Sequence, residues 1–155
     1  MADDQHVLDA EVEAVVLGRQ KARSYRGSAQ SIPNNTFTKI GIDADSFDST
    51  NITDLVNHRI VPTLAGYYIV VGCVAFISAT VTTTLIGTIY KNGVELSRGG
   101  RVMALGENMN TLCSDIVYLN GTTDYVELFI YQNSGETRNL EIGTSLNYLS
   151  VLGPF

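Results

Sequence analysis

Tyr67-Tyr68-Ile69-Val70-Val71-Gly72-Cys73-Val74-Ala75-Phe76-Ile77 is the stretch whose reading decides the fold. It is rich in β-branched and aromatic residues and contains no proline, which suits a long strand. It is also far shorter than the ~20 residues that span a membrane, so no membrane insertion is expected. Successive side chains of a strand point to opposite faces. One face carries Tyr67, Ile69, Val71, Cys73 and Ala75; the other carries Tyr68, Val70, Gly72, Val74 and Phe76. Neither is polar. An antiparallel strand in the wall of a monomeric sandwich has one wet face. The expectation is that one face enters a core and the other is covered by another subunit.

The sequence on either side repeats the β pattern in shorter pieces. Thr38, Ile40 and Ile42 alternate, and His58–Val61 precedes Pro62. Leu85–Lys91 runs into Asn92-Gly93, a strong hairpin signal because both turn positions favour positive φ. Val94–Leu96 returns from it. Ser97-Arg98-Gly99-Gly100 reads as a further turn, followed by strands over Arg101–Leu105 and Thr111–Leu119 and a turn at Asn120-Gly121. In Tyr125–Tyr131, Val126, Leu128 and Ile130 share one face, while Tyr125, Glu127, Phe129 and Tyr131 share the other. Aromatic side chains are enriched at the buried centres of interfaces. The second face therefore reads as an interface, with a covering loop as the alternative. Leu146–Leu152 closes the chain. Nine or ten short strands of this kind predict an all-β, two-sheet antiparallel jelly-roll sandwich.

The first residues differ. Leu8, Val12 and Val15 recur at helical spacing, joined by Val16, with acidic residues crowding the first turns. The expected organisation is an N-terminal docking arm over residues 1–24 and a jelly-roll domain over 25–155. The arm reads as a frayed terminus, a short three-stranded bundle or a segment that docks on a partner through Leu8, Val12, Val15 and Val16.

Composition narrows the function. The 155 residues carry only 17% charged residues and a net charge of -6. The ten basic residues are scattered, so no nucleic-acid partner is expected. The acidic start lacks a basic stretch followed by a long apolar run, so a signal peptide is not expected either. The chain reads as soluble and made in a cytosol. The three Asn-x-Thr matches, at Asn34, Asn51 and Asn120, then reflect turn and strand preferences. Cys73 and Cys113 sit in strand-like runs and read as buried free thiols, although spacing alone does not exclude a disulfide.

The order of five features resembles the globular domain of the complement C1q and tumour necrosis factor superfamily, with phage and bacterial members the nearest in look. They are Ala29–Ile40 followed by Asp45-Ser46-Phe47-Asp48, Arg59-Ile60-Val61-Pro62, Ala65-Gly66-Tyr67-Tyr68-Ile69, Ile89-Tyr90-Lys91-Asn92-Gly93, and Asp124–Tyr131. The resemblance covers roughly residues 25–155. It implies a ten-stranded jelly roll, a tight homotrimer with one sheet facing the threefold axis, and no catalytic site. The chain lacks a collagen-like stalk, which argues against a secreted complement role. With the resemblance, Tyr67, Ile69, Val71, Tyr125, Phe129 and Tyr131 are the expected trimer contacts.

Catalytic and metal chemistry find little support. His58 is the only credible base and has no nucleophile motif beside it. Glu136 and Glu141 sit in loop-like segments. Asp43, Asp45 and Asp48 form the only tight carboxylate cluster, a weak calcium candidate without the glycine and glutamate pattern of an EF-hand. No cofactor is expected. Three function classes follow. The first is a virion protein, a capsid decoration or head fibre attached to a major capsid protein by its arm. The second is a receptor-binding tip meeting a host glycan or surface protein through Ser78–Thr84 and Gln132–Gly143. The third is a glycan hydrolase, for which no clear carboxylate pair exists.

Overall fold

A computed structural model describes residues 19–77 and 81–155 of the chain. Thirteen strands are present among them: β1 (Gln20–Tyr25), β2 (Ser31–Ile32), β3 (Thr38–Lys39), β4 (Ala44–Asp48), β5 (Thr53–Asp54), β6 (Arg59–Ile60), β7 (Ala65–Phe76), β8 (Thr83–Lys91), β9 (Val94–Ala104), β10 (Met109–Asn120), β11 (Val126–Gln132), β12 (Arg138–Asn139) and β13 (Tyr148–Gly153). The strands beyond those expected are β1, β4 and the two-residue pieces β2, β5 and β12, the last three too short to show an alternation. All pairings are antiparallel. Sheet one has the order β10-β7-β13-β1-β4; sheet two has the order β5-β6-β11-β8-β9, with β3 also on β11. A small ladder joins β12 to β2.

The inward halves of the alternations make the core. Tyr68, Val70, Val74 and Phe76 of β7 face Leu85 and Ile89 of β8 and Val126, Leu128 and Ile130 of β11. Fully burying such a side chain contributes roughly 1.5–3 kcal/mol each, which drives closure of the sandwich. One polar network is built into the core. Gln20 Oε1 accepts the N–H groups of Thr63 and Leu64, and the Tyr68 hydroxyl lies 2.9 Å from it. The buried Gln20 amide is thereby satisfied, and β1 is tied to the chain entering β7.

Two expectations are corrected here. The boundary between residues 24 and 25 falls inside β1, so the sandwich takes in Gln20–Ser24 as well. The inward residues of this strand are Gln20, Ala22 and Ser24. They are small or polar, so the strand shows no apolar alternation. The turn expected at Ser97–Gly100 is also absent: β9 runs through it, with register shifts against β8 between Ile86 and Thr88 and between Ile89 and Tyr90. The glycines serve a crossing instead. A Cβ on Gly99 would stand 2.1 Å from the Leu112 carbonyl oxygen of β10. At this crossing the edges of the two sheets are stitched together. Thr111 Oγ1 donates to the Gly100 carbonyl at 2.7 Å, and the Ser97 hydroxyl donates to Asp115.

The hairpin at Asn92-Gly93 forms as expected, with φ of 54° and 77°. Asp124 braces it. It accepts from Asn92 Nδ2 at 2.7 Å and from the Asn120 N–H at 3.1 Å, and it pairs with Lys91 at 2.8 Å. The Lys91 ammonium first, then the Asn92 amide and Asn120 N–H, hold the Asp124 carboxyl below its usual 3.8 against the opposing effect of burial.

Gly99→Ala should destabilise the fold by about 1–3 kcal/mol, because the new methyl meets backbone rather than a side chain that can swing away. Chemical denaturation checks this, and an unchanged midpoint would contradict the crossing. Asp124→Asn should cost about 1–3 kcal/mol at neutral pH. A carboxyl with a lowered folded pKa contributes its stability above the unfolded value and loses it as pH falls through the folded one. The difference between wild type and Asp124→Asn should therefore be constant above about pH 5 and shrink below 3.8 in urea titrations.

Candidate functional site

Fixing Tyr68, Val70 and Val74 in the core forces their neighbours in β7 outward. The ladders then assemble rows across sheet one. Ile116 of β10 pairs with Ile69 of β7, Ile69 with Leu152 of β13, and Leu152 with Lys21 of β1. The row beside it holds Ser114, Val71, Ser150, Arg23 and Phe47. Tyr118 pairs with Tyr67, their rings edge-on at 5.4 Å. The outer face so formed is apolar and open. Ile116 is 66% exposed, Leu112 58%, Tyr67 54%, Tyr118 48%, Phe47 48%, Ile69 41% and Leu152 38%. Single exposed apolar residues are ordinary, but a contiguous patch of large ones marks an interaction surface.

Towards β4 this face is concave. Two shallow recesses of about 400 and 330 Å³ share Lys21 and Phe47 as walls; the second is floored by Ile69, Val71 and Leu152. Along β1, Lys21 and Arg23 alternate outward, continuing the line begun by Arg19. Arg19 stacks on Phe155 at 4.5 Å and Arg23 on Tyr148 at 4.1 Å.

The six expected contact residues do not form one surface. Tyr67 and Ile69 are exposed and Val71 half-buried on sheet one. Tyr125, Phe129 and Tyr131 belong to the opposite side of the sandwich, where contacts within the chain leave them half-buried. Phe129 stacks on Tyr90 at 3.8 Å, and Phe37 packs on Tyr131 at 5.1 Å. Arg98 caps Phe37, and Arg59 caps Tyr125. Glu127 is buried and paired with Lys39 at 2.9 Å. A segment over residues 35–39 thus lies against these rings, which is the covering-loop alternative that the sequence left open. The far half of β7 is corrected in the same way, because the outward residues Cys73 and Ala75 are buried by their own chain. The sequence reading missed Leu112, Ile116 and Tyr118. Their signal was available, since Thr111–Leu119 also has two largely apolar faces.

The chemically active residue types are occupied. Asp43 accepts from the Gly27 N–H at 2.7 Å and lies 3.4 Å from Arg26. Burial pushes its carboxyl up, but the Gly27 and Ser28 donors and the Arg26 charge outweigh it and hold it low. Asp48 is likewise raised by burial and brought below its usual value by the N–H groups of Thr53, Ile52 and Thr50. Asp43 and Asp48 thus brace separate turns, and Asp45 is exposed on β4. Among the described residues, no three His, Cys, Asp or Glu side chains converge as a metal site. His58 Nδ1 lies 2.8 Å from the Ile42 carbonyl in a turn. Cys73 and Cys113 are free and buried. Burial, with Cys73 nearby, pushes the Cys113 thiol up to about 12, so it is no nucleophile at neutral pH. Glu136 pairs with Arg138. The docking candidates Leu8, Val12, Val15 and Val16, and residues 78–80 of the first candidate loop, lie outside the described residues. In the second candidate loop, Leu140 is buried in the core.

The two outer faces should respond differently to truncation. Phe129→Ala should cost about 1–3 kcal/mol of chain stability, since its half-buried ring stacks on Tyr90. Ile116→Ser should cost under about 1 kcal/mol in a monomer, while reducing binding of an apolar dye. Denaturant midpoints measured at low protein concentration separate the two outcomes.

No family model matches the chain, and neither does any curated protein. Solved structures do. Murine APRIL at pH 5.0 superposes with a TM-score of 0.64 at 12% identity, covering 86% of this chain and 98% of that one. Eiger TNF from S. frugiperda gives 0.55 at 7% identity over 88% and 92% of the two chains. The globular domain of zebrafish complement 1qA protein gives 0.54 at 8% identity over 88% and 95%. At such identities the likeness speaks to architecture, and the architecture of this chain is the C1q/TNF-like jelly roll.

Proposed function

We propose that the chain is a homotrimeric, non-enzymatic binding module. The observation that carries this reading is the open apolar face of sheet one, centred on Leu112, Ile116, Tyr118, Tyr67 and Ile69. A second copy of the same chain is the natural cover for it. A head-to-tail contact of this kind closes into a ring when its rotation permits, and the neighbouring architectures make three copies the expected number. The absence of a catalytic role is supported by the use already made of His58, the carboxylates and the buried thiols. Static light scattering should give three chains per particle for wild type and one for Ile116→Asp. A wild-type monomer would overturn the reading.

The wider setting we infer is a virion. The module would be made in a host cytoplasm and attached, as a capsid decoration or head fibre, to a major capsid or other virion protein through Leu8, Val12, Val15 and Val16. The acidic, apolar-striped segment ahead of the sandwich supports this, together with the likeness in sequence pattern to phage members. Saturable binding to capsids lacking the protein, lost on deletion of residues 1–17, is the expected result. Binding only to host cells would replace it with recognition of a surface glycan or protein.

A further inference from the structure

The charges of this chain are unevenly placed. Residues 19–155 hold all ten basic residues and eleven of the sixteen acidic ones, so the sandwich is nearly neutral. The other five acids, Asp3, Asp4, Asp9, Glu11 and Glu13, lie in residues 1–18, which contain no Lys or Arg. Six of the ten cations, namely Arg26, Lys39, Arg59, Lys91, Arg98 and Arg138, pair with carboxylates among the described residues. Of the four that do not, three are Arg19, Lys21 and Arg23. They follow the acidic segment directly and form the outward line of β1, beside the recesses walled by Lys21 and Phe47.

We propose that residues 3–17 of the free protein dock on the sandwich of their own chain, along β1 and over the recess between Phe47 and Leu152. The carboxylates of Asp9, Glu11 and Glu13 meet the Arg19–Lys21–Arg23 line, and Leu8, Val12 and Val15 enter the apolar recess. Three features favour this occupant. Its charge is opposite and confined to one segment. It is tethered at Arg19, the end of the line, so its local concentration is high. Its length also fits: fifteen residues would span about 22 Å at helical rise, against about 20 Å for the six residues of β1. Docking covers Lys21, Phe47, Leu152 and the Ile69–Val71 floor of the recess and leaves Leu112, Ile116, Tyr118 and Tyr67 free for self-association, so the proposal stands whether or not the protein trimerises. It also makes the segment a releasable one, exchanged from its own sheet to an attachment surface.

Zero-length carbodiimide coupling of the full-length protein tests it. The chain has three lysines, and two give internal standards: Lys39 to Glu127 at 2.9 Å and Lys91 to Asp124 at 2.8 Å. Peptide mapping of the single-chain band from a denaturing gel should find Lys21 joined to Asp9, Glu11 or Glu13. The yield should fall severalfold in 1 M salt, where the Debye length is ~3 Å, and severalfold in the Val12→Asp, Val15→Asp double variant, with both standards retained. Standards formed without any Lys21 link would overturn the proposal. Links found only in multi-chain bands would overturn it too, by giving the recess to another copy's segment. Light scattering on the same sample reports trimer formation separately.

Discussion

Leu128 reaches from β11 across the sandwich to the backbone of β7 at Gly72, and there is no space left between them. A Cβ on Gly72 would stand 2.5 Å from Leu128 Cδ1 and 2.9 Å from Cys113 Sγ. This contact sets how closely the sheets approach and fixes the phase of β7. With Gly72 inward, Tyr68, Val70, Val74 and Phe76 are inward too, and Tyr67, Ile69 and Val71 must turn outward. A one-residue slip would exchange the two sets and bring the Val71 side chain against Leu128. The open apolar face is therefore a geometric consequence of the core.

The two outer faces of the sandwich meet the same problem differently. Both carry large rings. Sheet two resolves its own by bringing Phe37, on the segment before β3, against Tyr131 and near Tyr90, with Arg98 above. Its buried carboxylate is matched by Lys39. Sheet one leaves Leu112, Ile116, Tyr118 and Tyr67 in solvent. Intrachain cover on one side and none on the other distinguishes the candidate interface from the rest of the surface. Overall hydrophobicity does not, because each side is apolar.

The fold was legible where strands were long and alternated in hydrophobicity. β7, β8, β10, β11 and β13 all lie where the pattern of Val, Ile, Leu and Tyr placed them. β1 was not legible, because its inward residues are Gln20, Ala22 and Ser24. What makes it a central strand is a hydrogen-bond network with Thr63, Leu64 and Tyr68, residues more than forty positions away. Ser97–Gly100 misled because glycines mark close crossings as well as turns, and only the position of Leu112 distinguishes the two uses. For the candidate site, two-sided apolarity found Tyr67 and Ile69 correctly as outward residues. It could not foresee that Phe37 would pack on Tyr131, or Tyr90 on Phe129, since which group lies over which ring depends on tertiary structure.

The place of β13 has a temporal side. It lies between β7 and β1, so the last strand of the chain joins the first strand to the rest of sheet one. Without Tyr148–Gly153 the β1–β4 pair has no edge of sheet one to join, and β7 has no neighbour on that flank. Pairing β1 with β13 makes these contacts strongly non-local, and such topologies fold slowly. Sheet one is thus completed only when β13 is in place, and a chain lacking Tyr148–Gly153 would lack the strand that holds β1 to β7.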